Sequence, residues 1–193
     1  MTSRDAVLAA VRAARPAHVE RPDVLARVSA FTPFVDAVAR FIESAEAAAA
    51  RVVLGRRAEL ATLVASAYPA TGRQVSAMSP LEAQAARLSP HSFADTEQFV
   101  CEAALGVAEN GAVWLPLSRL RHRSAFVLAT NVIVVLDRTR IVSNLHQAYA
   151  AIDMTAEGFG VFVAGPSKTA DIEQALVIGA HGAKGLTIVL VEQ

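Results

Sequence analysis

Apolar positions change their spacing several times along this 193-residue chain, and each change marks a new element. Val7, Leu8 and Val11 share one face of an amphipathic helix over residues 3–15, and Pro16 and Pro22 bound a linker behind it. Thr32 and Pro33 read as N-cap and first-turn residues of a longer helix that turns Phe34, Val38, Phe41 and Ile42 inward before an alanine-rich end. From there short apolar runs alternate with helical periodicity. Val52, Val53 and Leu54 form a short strand. Leu60, Leu63, Val64 and Ala67 line a helix that stops at Tyr68-Pro69, and residues 74–77 form a weaker strand. Residues 78–98, with Ser79-Pro80 and Ser89-Pro90, hold a short helix and a polar loop.

Asn110-Gly111 between two apolar stretches is a hairpin signal, because a tight two-residue connection needs positive backbone dihedrals. A basic helical segment then runs to Thr130, residues 132–136 form a buried strand, and Ser143 caps a helix carrying Leu145, Tyr149 and Ile152 on one side. Near the end, Val161, Phe162, Val163 and Ala164 read as a buried strand. Ile172, Ala175, Leu176 and Gly179 follow at helical spacing, and residues 186–191 form a second buried strand. That succession is a βαβ unit, with a right-handed crossover and its first turn at the carboxyl edge of the sheet. Continuous apolar strands separated by helices predict an α/β fold, a mostly parallel open sheet with helices on both faces, made mixed by the hairpin. Residues 1–30 form a helical appendage and linker, and residues 31–193 the α/β domain.

Composition narrows the function classes. Eighteen basic side chains balance eighteen acidic ones, so no net field draws in nucleic acid or an anionic membrane. The lone cysteine, Cys101, excludes an internal disulfide and any cysteine-ligated metal or iron–sulfur site built from this chain alone. No run approaches the ~18 apolar residues of a membrane span, and Asp5 and Arg12 interrupt the segment a signal peptide would need. The expected location is the cytoplasm. The five histidines never stand at metal-ligand spacing, so no metal site is expected.

The candidate chemistry lies in two turns. Gly165-Pro166-Ser167-Lys168-Thr169 leads into the expected helix from about residue 170, with Asp171 and Glu173 in its first turn. Unpaired backbone N–H groups there, the Ser167 and Thr169 hydroxyls and the Lys168 ammonium could hold a phosphate or carboxylate. Asp171 and Glu173 would repel one, and a well-capped helix accounts for Thr169 and Asp171 equally well. His181-Gly182 reads as a helix C-terminus at the opposite sheet edge. In the second turn Glu109 precedes Asn110-Gly111 in apolar surroundings that would make its carboxylate more basic, although an isolated glutamate beside a hairpin is usually just exposed.

The segments GVAENGAVWLP, NLHQAYAAI and VFVAGPSKTADIEQALVIGAHGAKGLTIVLVE resemble the lactate-utilisation protein C family, the LUD domain, most strongly from Asp95 onward. The resemblance implies a fold of the ribose-phosphate isomerase and CoA-transferase superfamily (NagB/RpiA/CoA-transferase-like). It also implies a part in oxidising L-lactate to pyruvate beside two iron–sulfur partner proteins, which would carry the clusters that a single cysteine cannot. Family members usually have Glu-Thr-Gly where this chain has Glu109-Asn110-Gly111. A shorter stretch, Ala108 to Gly111, is similar to the turn bearing the nucleophilic glutamate of CoA-transferases, which forms an anhydride and then a thioester. Three readings follow: an accessory subunit binding a small anionic or nucleotide-like ligand between the two turns, a free-standing acyl- or formyl-transfer or sugar-phosphate enzyme using Glu109, or a structural subunit whose first helix docks on a partner or a second copy.

Overall fold

The computed structural model describes residues 2–16, 18–20, 23, 33–67, 72–78, 89–172 and 175–192, in two compact units, Met1–Thr32 and Pro33–Gln193. In the first unit, helix α1 (Ser3–Ala13) is closed by a reciprocal cap. The Thr2 hydroxyl accepts the Asp5 N–H, and the Asp5 carboxylate accepts from the Thr2 hydroxyl and N–H. Those bonds, the hydroxyl's first, hold the Asp5 carboxyl below its usual range. Val7 and Val11, the apolar face, are exposed.

In the second unit, helix α2 (Ala37–Ala47) starts later than Pro33 suggests. Asp36 is the N-cap and accepts the Ala39 N–H at 2.9 Å, while Thr32 lies outside the described residues. Phe34 therefore precedes the helix and is exposed, whereas Phe41 is fully buried. Strand β1 (Arg51–Arg56) and helix α3 (Leu60–Ala67) follow as expected, then β2 (Arg73–Ser76). The Tyr68-Pro69 stop and residues 79–88 of the expected 78–98 helix and loop lie outside the described residues.

Strand β3 (Thr96–Glu102) has no counterpart among the expected elements. Its polar residues hide it, yet Thr96 and Gln98 are buried, and the Gln98 amide oxygen accepts from Gln74 of the neighbouring strand at 3.0 Å. With β6 (Asn131–Asp137) and β11 (Gly185–Glu192) it completes a five-stranded parallel sheet, order β1-β11-β6-β3-β2. Alternation along the strands sorts the core into two layers. Phe99, Cys101, Val132, Val134, Leu136, Ile188 and Leu190 face a large cluster with Phe41 of α2, while Val100, Ile133, Val135, Val189 and Val191 face α3.

A second sheet covers the first of these layers. The hairpin of β4 (Leu105–Val107) and β5 (Ala112–Pro116) forms around Asn110-Gly111, although its connection is the four residues from Ala108 to Gly111 rather than two and Gly111, not Asn110, takes the positive φ; β7 (Ile141–Val142) and β8 (Gly160–Val163) flank it in the order β7-β4-β5-β8. Val113 and Leu115 point toward the parallel sheet. Leu105, Val107, Ala112 and Trp114 point the other way, onto helix α6 (Leu145–Ala151). Helices α4 (Leu117–Leu120) and α5 (Arg123–Leu128) occupy the basic segment, and α7 (Met154–Glu157) precedes β8. Asn144 rather than Ser143 caps α6: its side chain accepts the Gln147 N–H at 2.9 Å, while the Ser143 hydroxyl accepts the Phe34 N–H.

The expected final βαβ unit does not form. β8 is half-buried and belongs to the second sheet, and where a helix is expected the described residues form an antiparallel pair, β9 (Lys168–Ile172) and β10 (Ala175–Ile178). The reason is geometric. The Gly179 N–H donates to the Ser167 carbonyl at 2.8 Å, and the Ser167 N–H to the Ala183 carbonyl at 2.9 Å. A helix over 170–178 would hold those ends about 13 Å apart.

Candidate functional site

The first turn is built by the hairpin. Gly111 has φ of 66°, and a side chain there would collide with the backbone of Ser44 and Ala45 in α2, so the position needs glycine twice over. The Asn110 side-chain oxygen accepts the Ala112 N–H at 3.1 Å, which tightens the bend. Glu109 is exposed rather than set in apolar surroundings. Its carboxylate accepts the N–H of Leu145 at 2.7 Å, at the opening of α6, where a negative group meets unpaired donors.

The second turn is built against the same helix. Gly165 has φ of 71°, and a Cβ there would run into the Ala48 carbonyl oxygen. Lys168 donates its ammonium to that oxygen, a cation on the last carbonyls of a helix. Pairing of Val113 with Val163 brings the two turns to one end of the second sheet, since Gly111 and Gly165 each lie two residues beyond that pair. Gly111, Gly165 and Lys168 thus meet the C-terminal end of α2, while Glu109 turns to α6.

The anion cradle expected at a helix N-terminus is absent, because Lys168, Thr169 and Asp171 stand in strand β9. Glu173 lies outside the described residues. In place of the cradle there is a cavity of about 300 Å3 beneath Gly165, Pro166 and Ser167. It lies at the amino edge of the parallel sheet, against Val132 and Leu186 near the starts of β6 and β11, not at the carboxyl edge. Phe126 and Phe162 supply its aromatic walls, and His181, Gly182 and Ala183 close it. The Ser167 hydroxyl makes no hydrogen bond among the described residues, and a Cβ on Gly182 would stand 3.2 Å from it. His181 was expected at the far edge of the sheet. The paired strands return the chain beside Ser167 and put it here, and no periodicity in the sequence could have shown that.

A family model described as the LUD domain matches residues 82–191, more than half of the chain. The chain belongs to the LUD-domain family. Among curated relatives, a protein named Lactate utilization protein C from Bacillus licheniformis is 37% identical over 92 residues, which cover 45% of this chain and 38% of that protein. The Bacillus subtilis protein of the same name is 36% identical over 91 residues, 44% of this chain and 38% of its own length. The matched part therefore spans well under half of either relative. Among solved structures, a DUF162 family protein from Deinococcus radiodurans superposes with a TM-score of 0.63 at 17% identity, over 81% of this chain and 96% of that one. That likeness shows the fold: a LUD domain here is a parallel sheet flanked by helices, with a second sheet laid over one face.

No helix among the described residues is long and apolar enough to cross a membrane. Cys101 is fully buried on β3, and burial pushes its thiol pKa far up, so the thiolate that a metal or a nucleophilic step requires is disfavoured there.

Proposed function

We propose that this LUD-domain chain is an accessory subunit in the oxidation of L-lactate to pyruvate, working beside iron–sulfur partner proteins and seating a small anionic or nucleotide-like ligand under the Gly165 turn. The observation that carries the proposal is the identity shared with proteins named Lactate utilization protein C. The single, buried cysteine supports the division of labour, because electron-carrying clusters then reside in the partners. The cavity supports the ligand: two aromatic walls suit a flat ring, and the Ser167 hydroxyl, without a hydrogen bond among the described residues, and His181 are polar residues on its lining. Growth tests it. Removal of the chain from its host abolishes growth on L-lactate and spares growth on pyruvate; equal growth on both would overturn the proposal.

The exposure of Glu109 favours a second reading, an acyl- or formyl-transfer or sugar-phosphate enzyme. The Leu145 N–H would orient the carboxylate as nucleophile or base. Incubation with acyl-CoA followed by mass spectrometry tests the nucleophile role, since a Glu109 adduct is expected from acyl transfer and from no accessory role, whereas a base leaves none.

A further inference from the structure

Residues 179–185 read Gly-Ala-His-Gly-Ala-Lys-Gly, a glycine-rich loop that leads into β11 at the amino edge of the parallel sheet. Both of its ends are tied down. The Gly179 N–H donates to the Ser167 carbonyl at 2.8 Å, and the Lys184 N–H to the Thr130 carbonyl, just before β6, at 2.7 Å. Between these anchors the N–H groups of Ala180, His181, Gly182 and Ala183 have no hydrogen-bond partner among the described residues. Gly179 opens the run with φ of 78°, and successive free N–H groups beside a left-handed residue are the chemistry of an anion-binding concavity.

The loop borders two cavities that share Val127, His181 and Gly182. The inner one is the cavity of about 300 Å3 under the Gly165 turn, and apart from Ser167 and His181 its lining is apolar or glycine. The outer one, about 400 Å3, lies between the end of α5 and the loop, with Gly179, Ala180 and Lys184 on its lining. The Lys184 side chain folds back along the loop, since a Cβ on Gly179 would stand 2.4 Å from its Cγ. Its ammonium has no partner among the described residues, whereas Lys168 donates to the Ala48 carbonyl. No carboxylate lines either cavity. The carboxyl edge differs: its cavity of about 340 Å3 has Asp153 and Glu157 on the wall beside Arg140.

We infer that the two amino-edge cavities form one bipartite site for a mononucleotide, its base in the inner cavity and its phosphate in the outer one, on the N–H groups of residues 180–183 and the Lys184 ammonium. The inference rests on the nucleotide-like ligand proposed above and assigns its two halves. A flat, uncharged base suits an apolar lining with few polar groups. The N–H groups and the ammonium together offer more donors than a carboxylate needs, and they match the oxygens of a phosphate. The clamps at Ser167 and Thr130 hold the loop in place before the ligand arrives, so little ordering cost falls on binding.

Calorimetric titration of the full chain with AMP, UMP, adenosine and inorganic phosphate tests the inference. The better of AMP and UMP is expected to bind with a Kd of about 100 µM or tighter. Adenosine and phosphate, each filling one half of the site, fall behind it by about tenfold or more. Lys184→Met weakens the nucleotide about tenfold and leaves adenosine where it was. Val127→Glu, at a half-exposed position on both cavities, sets a carboxylate at their junction and weakens the nucleotide about as much. Arg138→Gln, at the other edge, changes neither. Absence of nucleotide binding, adenosine binding equal to AMP, or an unaltered nucleotide affinity in folded Lys184→Met protein would each overturn it. A chain needed for growth on L-lactate yet blind to nucleotides retains the proposed role and loses this site; one that binds them yet is dispensable for that growth keeps the site and loses the role.

Discussion

The two edges of the parallel sheet carry cavities of similar size, about 300 and 340 Å3, shaped by different means. At the amino edge the backbone does the shaping: glycines at 165 and 182 let chain segments approach closely, and the carbonyls of Ser167 and Ala183 fix the loop. At the carboxyl edge Glu102, Arg119, Arg138 and Glu192 stand in ion pairs, and the neighbouring Arg140 stands outside them. The difference teaches where each edge is fragile. Steric change should damage the first, and charge change should retune the second while the fold persists.

The largest effect is expected at Gly165. Alanine there must adopt φ near 71° and displace the Ala48 carbonyl, at a cost of about 3 kcal/mol in chemical denaturation. A loss under about 1 kcal/mol would show that the amino edge is softer than its geometry implies. Glu109→Ala comes next, since it leaves the first turn of α6 without its carboxylate acceptor. About 1 kcal/mol is expected, largely restored by Gln, which accepts the same N–H. If Gln behaves like Ala, the charge matters more than the bond.

A pH test separates the edges without altering their shape. Hydrogen bonds from the Thr155 side chain, then from the Thr155 and Ala156 backbone, hold the Asp153 carboxyl below the usual carboxylate range. A depressed folded pKa gives stability that is present above the unfolded value, about 3.9, and is lost as pH falls through the folded one. Protection of the α7 amides from exchange, taken relative to the unfolded chain at the same pH, should therefore fall below about pH 4 in the native protein and change less in Asp153→Asn. The smallest effect belongs to Arg138→Gln: the pair with Glu192 is about half exposed on both sides, and its loss should shift stability by no more than about 0.5 kcal/mol.

The fold was readable from the sequence where burial is two-sided and hidden where polar groups are satisfied inside. Residues 132–136 and 186–191 declare themselves as strands because both faces are covered, and apolar side chains then fill every position. Strand β3 stays concealed because Thr96 and Gln98 interrupt its apolar run, though both are buried. The stretch from Lys168 to Ile178 misleads for the opposite reason. Its apolar residues fit a helical period, and only the distant clamp of Ser167 between Gly179 and Ala183 shows that the ends must meet. The candidate site divides along the same line. Glycines 111 and 165 stand out in sequence because their backbone demands are local, whereas His181 and Lys184 acquire their places from segments far along the chain.

Helix α2 touches both glycine turns within one turn of its own length, at Ala45 and at Ala48. Bends more than fifty positions apart in the chain consequently share one rod as their common abutment. A push on the rod, or its slippage along its axis, is expected to load both bends together, so that the loops flanking Glu109 and Ser167 should respond as a single mechanical piece.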